Sequence, residues 1–297
     1  MTRYVTYLHL LTPLHTGGSA QEGNLMGIAR EVHTEFPYLP SSSLRGKIRS
    51  VLENANDKDF QKAAGTFFGE RLKQGQQPTE GEVWFADATL LFFPIASWSH
   101  HFVWITCPLW LQRWNRWLPD PPLSDFIRGC RTKLSGERHA LIGFDTNQLF
   151  LQGAKIDEDK LEPIQQKVFT DELEKFTKDS DKFLSELPTK LVIIADEDCA
   201  ALVETGLQRE VRVALKPDEK TVAGGSFRSE EAMPSETVLF FPWGIKPPKQ
   251  ENKTVKVREE IERLLNDRLQ FGGLEGLGRG WVQLKSISTQ PEAEEES

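Results

Sequence analysis

Gly272-Gly273-Leu274-Glu275-Gly276-Leu277-Gly278-Arg279-Gly280 runs directly into Trp281-Val282-Gln283-Leu284. Five glycines in nine residues let a backbone approach a neighbour closely or adopt positive φ. The element after the run decides its meaning. A dinucleotide-binding turn opens a helix, whereas Trp281 to Ile287 reads as a strand. No Gly-Lys-Ser/Thr occurs, so the run is not a nucleotide P-loop. It is either a loop for a phosphate backbone or strand interface, or a tight connection between core elements. The residues before it, Lys253 to Arg268, have helical composition. At the other end Tyr4 to Leu11 reads as a strand, and Ser41-Ser42-Ser43 offers N-caps for a helix to about Glu53. Leu44, Ile48, Val51 and Leu52 form its apolar stripe. With βα units at both ends and strands outnumbering helices, the expected fold is α+β with an antiparallel-dominated sheet.

The middle of the chain adds strands. Gly81 to Phe93 and Phe102 to Thr106 read as adjacent strands, with Ser97-Trp98-Ser99-His100 as the turn. Leu109 to Leu118 reads as a helix, Pro119 to Gln148 as loop-rich, and Lys160 to Glu186 as helical with an acidic surface. Residues from about 109 to 190 therefore form a helical and loop insertion. Leu191 to Ala195 and Thr237 to Phe241 are short strands. Glu210 to Leu215 and Thr221 to Phe227 are expected to pair around Lys216-Pro217-Asp218-Glu219-Lys220. The irregular stretch from Thr12 to Pro40 is long for a compact chain, and such loops are usually functional. One domain over 1–290 and a disordered acidic tail over 291–297 are expected.

Composition excludes several classes. With 18 Phe and 8 Trp among 297 residues, the chain is not disordered. No apolar run approaches the roughly 20 residues of a membrane helix, and no signal-peptide pattern opens the sequence. Cys107, Cys130 and Cys199 are odd in number and widely spaced, which argues for a reducing cytoplasm. The net charge of −8 is segregated. Residues 157–198 hold 13 acids against 6 bases and the tail holds four acids, leaving the remainder at +3. Local patches decide binding, so the acidic total does not exclude nucleic acid.

The anion-binding candidate is Ser43-Leu44-Arg45-Gly46-Lys47-Ile48-Arg49, where a helix N-terminus and three cations coincide. The bland alternative is a solvated helix face. Trp110, Trp114 and Trp117 recur at i, i+4, i+7 and read as core or partner contacts, with base stacking as the alternative. Asp196-Glu197-Asp198 reads as a helix cap. No Cys-x-x-Cys, His-Glu-x-x-His or Gly-x-Ser-x-Gly occurs, so a conventional metal hydrolase, serine hydrolase or redox enzyme has no support.

Taken in order, several segments form a recognisable series. They are Thr12-Pro13-Leu14-His15-Thr16-Gly17-Gly18, Ala29-Arg30-Glu31-Val32-His33-Thr34-Glu35-Phe36-Pro37-Tyr38-Leu39-Pro40, the Ser43–Arg49 helix, Phe67-Phe68-Gly69, Phe85 to Pro94, Val103 to Pro108, Glu230 to Thr237 and the glycine run. The series resembles the RAMP superfamily of CRISPR proteins, and within it the repeated backbone subunit of the Cmr complex, the type III-B effector. The resemblance implies a modified ferredoxin-like (RRM-like) core with insertions and a β-hairpin thumb. It implies copies stacked along a CRISPR guide RNA, contacts with target RNA, and other effector subunits including the large polymerase-like one. Guide backbone would lie on Ser43, Arg45, Lys47 and Arg49 and on Gly272, Gly273, Gly276, Gly278 and Arg279. The thumb would span Arg209 to Ser229 and carry Arg209, Arg212, Lys216, Lys220 and Arg228. Holding RNA without sequence preference needs phosphate and 2′-OH contacts, and base pairing then reads sequence.

One position departs from the family. The resemblance places an aspartate that supports metal-dependent cleavage of target RNA five residues before Arg30, and that residue is Leu25. Leucine can neither bind Mg²⁺ nor polarise a hydroxyl. Gly27 also stands where the family has proline. The expectation is a subunit that binds RNA with impaired slicing and no resident cofactor, Mg²⁺ entering only if cutting is retained. Asn24 or Glu22 shifted into the position, or support from His15, Glu230 or Glu231, are the alternatives that keep the endoribonuclease active.

Overall fold

The computed structural model describes residues 2–289 apart from 19–20, 23–24, 72–76, 78, 165–166, 178–183, 214–217, 219–226 and 247–254. Asn24, Lys216, Lys220 and the acidic tail lie outside the described residues. In chain order the first elements are β1 (Thr2–Leu10), β2 (Gln21–Glu22), β3 (Leu25–Met26), α1 (Ser41–Glu53), α2 (Lys58–Phe68), β4 (Val83–Phe85), β5 (Thr89–Ser97) and β6 (His101–Thr106). Next are α3 (Pro108–Asn115), α4 (Ser124–Leu134), β7 (Ala140–Ile142), β8 (Gln148–Leu151), β9 (Ala154–Asp157), β10 (Leu161–Pro163), α5 (Lys167–Thr177), β11 (Leu191–Ile194) and α6 (Asp196–Gly206). The last are β12 (Gln208–Arg212), β13 (Arg228–Ala232), β14 (Val238–Ile245), α7 (Val255–Leu264), β15 (Arg268–Gln270) and β16 (Trp281–Ser288).

The main sheet runs β10-β7-β11-β6-β5-β14-β1-β16-β15, with β4 paired to β14. The β10–β7 and β11–β6 pairs are parallel and the other pairs antiparallel. Side chains alternate along its strands. On β14, Leu239, Phe241, Trp243 and Ile245 enter one core layer with α1, α2, α6 and α7. Val238 and Phe240 enter a second with α4 and α5. Both faces are covered, which is why β14 reads as a continuous apolar run and not as alternation. Each such side chain contributes about 1.5–3 kcal/mol on burial.

Residues 109–190, expected as helix and loop, hold strands as well: α4 and α5 form most of the second layer, Pro119 to Gln148 carries α4 and β7, and β7 and β10 extend the main sheet. Phe126 of α4 stacks on Phe169 of α5 at 4.6 Å, and Phe176 stacks on Tyr7 of β1 at 4.0 Å. The tryptophan stripe belongs to the core. Trp110 and Trp114 are fully buried, and Trp114 donates to the Tyr7 hydroxyl at 2.9 Å. Neither is available to a base or a partner. Trp117 is half-exposed and leans on Trp84. Asp196 does not cap its own helix. Ala195 is the N-cap of α6, and Asp196 Oδ1 accepts from Leu109 N–H of α3 at 2.8 Å.

Helix α1 begins at Ser41 behind Pro40, so Ser43 sits inside the first turn and is not a cap. The Ser41 N–H is taken by Asp87 Oδ1 at 2.7 Å. β12 pairs antiparallel with β13, and Glu230, Glu231 and Ala232 are buried at the root of this hairpin. The expected second strand, Thr221 to Phe227, lies outside the described residues apart from Phe227, and β13 starts just after it. β13 also pairs with β3, matching Ser229 to Leu25 and Glu230 to Met26.

Candidate nucleic-acid interface

The hairpin root buries two carboxylates, and a buried carboxylate requires a cation or several donors. Glu231 receives both Arg30 Nη2 contacts at 3.1 Å and Arg209 at 3.2 Å. Arg30 also donates to Glu204 of α6 at 2.7 Å, and Arg209 donates to the same carboxylate. Loop, helix and hairpin are thereby tied by two arginines and two glutamates. Burial depresses the Arg30 guanidinium, but its bonds to Glu204 and Glu231 more than offset this and raise it above its ordinary value. Burial likewise raises Glu204, and the hydrogen bonds from Arg30 and Arg209 outweigh it to hold the carboxyl below the ordinary range. Glu230 lies 3.0 Å from Arg212 Nε without hydrogen-bond alignment. Arg113 forks onto Glu31 at 2.8 and 2.9 Å.

Beside this network lies a cleft of about 550 Å³. Leu25, Ile28, Phe36 and Val203 line it with apolar surface, and Arg30, Arg209, Glu204 and Glu231 with charge. His15 is buried behind it. Its Nδ1–H donates to the Glu231 carbonyl at 2.8 Å, and its own carbonyl accepts from Gly273 N–H at 2.8 Å. His15 therefore joins the hairpin strand to the glycine loop, and its ring is committed to the scaffold.

The glycine loop divides by role. A Cβ at Gly280 would stand 1.8 Å from the Phe271 carbonyl, and one at Gly272 would stand 2.4 Å from that of His15. Both positions also have positive φ, so these glycines serve packing. Gly276 and Gly278 face open space. Two charged residues anchor the loop sideways. Glu275 pairs with Lys47 of α1 at 3.2 Å, and Arg279 pairs with Glu210 of the hairpin at 2.8 Å. Glu210 is raised by burial and lowered more by the Arg279 charge, so its carboxyl sits below the ordinary range.

The three cations of α1 do not share a surface. Leu44, Ile48 and Leu52 point into the core. At 100° per residue, Arg45 and Arg49 fall on one side of that stripe and Lys47 on the other. Arg49 donates to Glu53 at 2.8 Å, and Arg71 joins the same carboxylate. Hydrogen bonds from Arg71 and then Arg49 pull Glu53 down to about 2. Arg45 donates to the Phe68 carbonyl and lies 5.8 Å over the Phe68 ring. Gly46 is exposed in the helix interior, with nothing within 4 Å of a Cβ there. A helical glycine costs about 1 kcal/mol against alanine, and no packing contact requires it. Gly46→Ala is expected to raise stability by up to about that amount in urea titration; a loss would mean that the helix needs glycine there.

Among the described residues around Leu25, no side chain is placed to hold a metal ion. The leucine side chain has no oxygen, and the carboxylates of Glu230 and Glu231 face arginines. Among the described residues no three His, Cys, Asp or Glu side chains converge as a metal site. Asn24 and the Glu22 side chain lie outside the described residues. Sequence reasoning missed Arg30, Glu204 and Asp87 as structural participants. Arg30 and Glu204 are 174 residues apart, and nothing local to either announces the other.

Comparison with known proteins gives this arrangement its family. The model of the RAMP superfamily matches residues 7–283. The chain belongs to the RAMP superfamily. A curated relative, the CRISPR system Cmr endoribonuclease Cmr4 of Pyrococcus furiosus, is 26% identical over 289 residues, covering 96% of this chain and 95% of the relative. Among solved structures, a chain of the type III-B Cmr-beta bound to cognate target RNA superposes with a TM-score of 0.73 at 22% identity, over 96% of each chain. Oligomeric Cmr4 from Pyrococcus furiosus gives 0.67 at 22% identity, over 98% of this chain and 100% of that one. The α+β architecture of this RAMP chain, with its large central sheet, is thus shared. Among the described residues no helix is long and apolar enough to cross a membrane.

Proposed function

We propose that this RAMP protein is a cytoplasmic, CRISPR RNA-binding backbone subunit of a type III-B effector. It stacks with copies of itself along the guide, positions complementary target RNA, and contacts other effector subunits including the large polymerase-like one. Target cutting is impaired through Leu25, and no cofactor resides in the chain. Mg²⁺ enters only if cutting is retained. The observation that carries the reading is continuity. The glycine loop is bonded to α1 through Lys47–Glu275 and to the hairpin through Arg279–Glu210, so the Lys47 side of α1, the loop and the hairpin root lie together. The Pyrococcus furiosus relative is a Cmr endoribonuclease, and one structural relative is bound to cognate target RNA, which supports the same assignment.

The charge state explains how RNA would enter. Lys47, Arg49, Arg209, Arg212 and Arg279 each face a glutamate of the chain itself. RNA phosphates exchange with those carboxylates, so binding falls as salt rises. The test is an RNA shift assay across a salt series. Reversing Arg45 and Arg49 to Glu, and separately Lys47 to Glu, is expected to weaken binding uniformly across RNA sequences. Each lost phosphate contact lowers the salt slope by about one. Wild-type affinity in both variants would sink the assignment of α1.

A further inference from the structure

Trp98 is 82 % exposed, although an indole is among the largest apolar surfaces a chain can bury. It stands at the tip of the turn between β5 and β6 and lies flat on Phe150 of β8. The ring centroids are 5.6 Å apart and the planes 14° from parallel. The turn is closely held. Ser97 pairs with His101, His101 takes left-handed backbone at φ 61°, and Ser99 Oγ bonds His100 Nδ1 at 2.7 Å. One face of the indole rests on Phe150, and the other is open before any ligand arrives. Little ordering remains to be done on binding.

The position matters as much as the exposure. β5 runs parallel to β1 through their shared antiparallel partner β14. Its C-terminal tip therefore projects from the sheet end that carries the glycine loop. Helix α6, which leads into the hairpin, ends against the same strand: a Cβ at Gly206 would stand 2.6 Å from Phe93 and 3.0 Å from Ile95. Gln152 connects the two, donating its N–H to the Ala96 carbonyl at 2.9 Å and accepting from Thr205 Oγ1 at 2.6 Å.

We propose that Trp98 is a stacking platform for one unpaired nucleobase of bound RNA. The proposal rests on the RNA-binding reading above. Size selects the occupant. A stable protein interface takes roughly 800 Å² from each partner, whereas one indole offers about 200 Å². Gln148, Lys155 and Asp157 beside it are exposed and polar, so the apolar patch ends there. A single base covers one indole face. Lys155, opposite Phe150, is already held by Asp157 at 2.6 Å, which makes the attraction one of stacking and not of charge.

The experiment uses the assembled RNA complex and single-stranded RNA carrying a fluorescent adenine analogue at successive positions. Wild type is expected to quench the analogue at positions that reach Trp98. Trp98→Ala is expected to abolish that quenching and weaken binding about tenfold, with the salt slope unchanged because no phosphate contact is lost. Trp98→Phe should restore most of both, and Phe150→Ala should weaken the quenching. Unchanged quenching and affinity in Trp98→Ala overturn the proposal. Normal RNA binding with lost self-association or subunit contact overturns it in favour of a protein interface. Failure of wild type to bind RNA would remove the function reading itself, and this proposal with it.

Discussion

Complementary RNA held by the guide-loaded wild-type complex is expected to stay intact in Mg²⁺, and Leu25→Asp is the variant that tests why. Removing a general base or its equivalent costs about 10²–10⁴-fold in rate, so a missing carboxylate reads as intact target over an ordinary assay. Leu25 pairs through β3 with Ser229 of the hairpin and lines the cleft beside Arg30 and Arg209. An aspartate there would meet cations, so the fold should accept it. Those same cations would also stabilise its charged form and make it a weaker base. A ladder of regularly spaced fragments from Leu25→Asp alone would mean that the cleavage geometry survives and one carboxylate is missing. Intact RNA from both would place the loss deeper than one side chain. A ladder from wild type would overturn the impaired-cutting reading and direct attention to Glu22 and Asn24.

The second large effect is structural. Arg30 and Arg209 together neutralise Glu231, whose side chain is 3% exposed. Replacing both by alanine leaves that charge buried without a cation, which costs about 3–5 kcal/mol. For a chain of this size the fall in Tm is about 6–15 °C. Adding Glu231→Gln to the double variant should recover much of the loss, because the uncompensated charge is what costs, and such neighbouring changes are not additive. Thermal melts of the three proteins decide it. A double variant melting with wild type would show that the network behaves like a surface ion pair. The pH dependence has a definite sign. Glu204 has its folded value depressed, so its contribution is present above the ordinary carboxylate range and is lost as pH falls through the depressed value.

Leu25 and the Glu231 network line one cleft, and the cations of that cleft are paired with carboxylates of the chain. Lys47, Arg209, Arg212 and Arg279, cations proposed to meet RNA, face glutamates of the chain itself. On the proposed reading RNA binding is an exchange of partners, and its salt dependence measures how many exchanges occur.

Much of this was legible in the residues. Helix α1 with its apolar stripe, the strand after the glycine run, and the series from Thr12 to Gly280 depend on local periodicity, turn chemistry and order, all written along the chain. So did the departure at Leu25. What the sequence could not assign was partnership. Trp110 and Trp114 read as core or contact until the sheet closed over them, because helical spacing alone does not say what the stripe faces. Arg45, Lys47 and Arg49 read as one cluster, yet the buried stripe divides them. Arg30 meets Glu204, and Arg279 meets Glu210, across long stretches of chain. Such pairs depend on the register of β12 against β13 and on where α6 ends, and a charge has no periodicity that announces its partner. The sequence by itself determined most of the elements and the family resemblance, and it placed a leucine at position 25. Only the tertiary structure decided which cations face which counter-ions, which tryptophans are core, and that Trp98 stands open at the tip of its turn, because those outcomes depend on contacts between segments far apart in the chain.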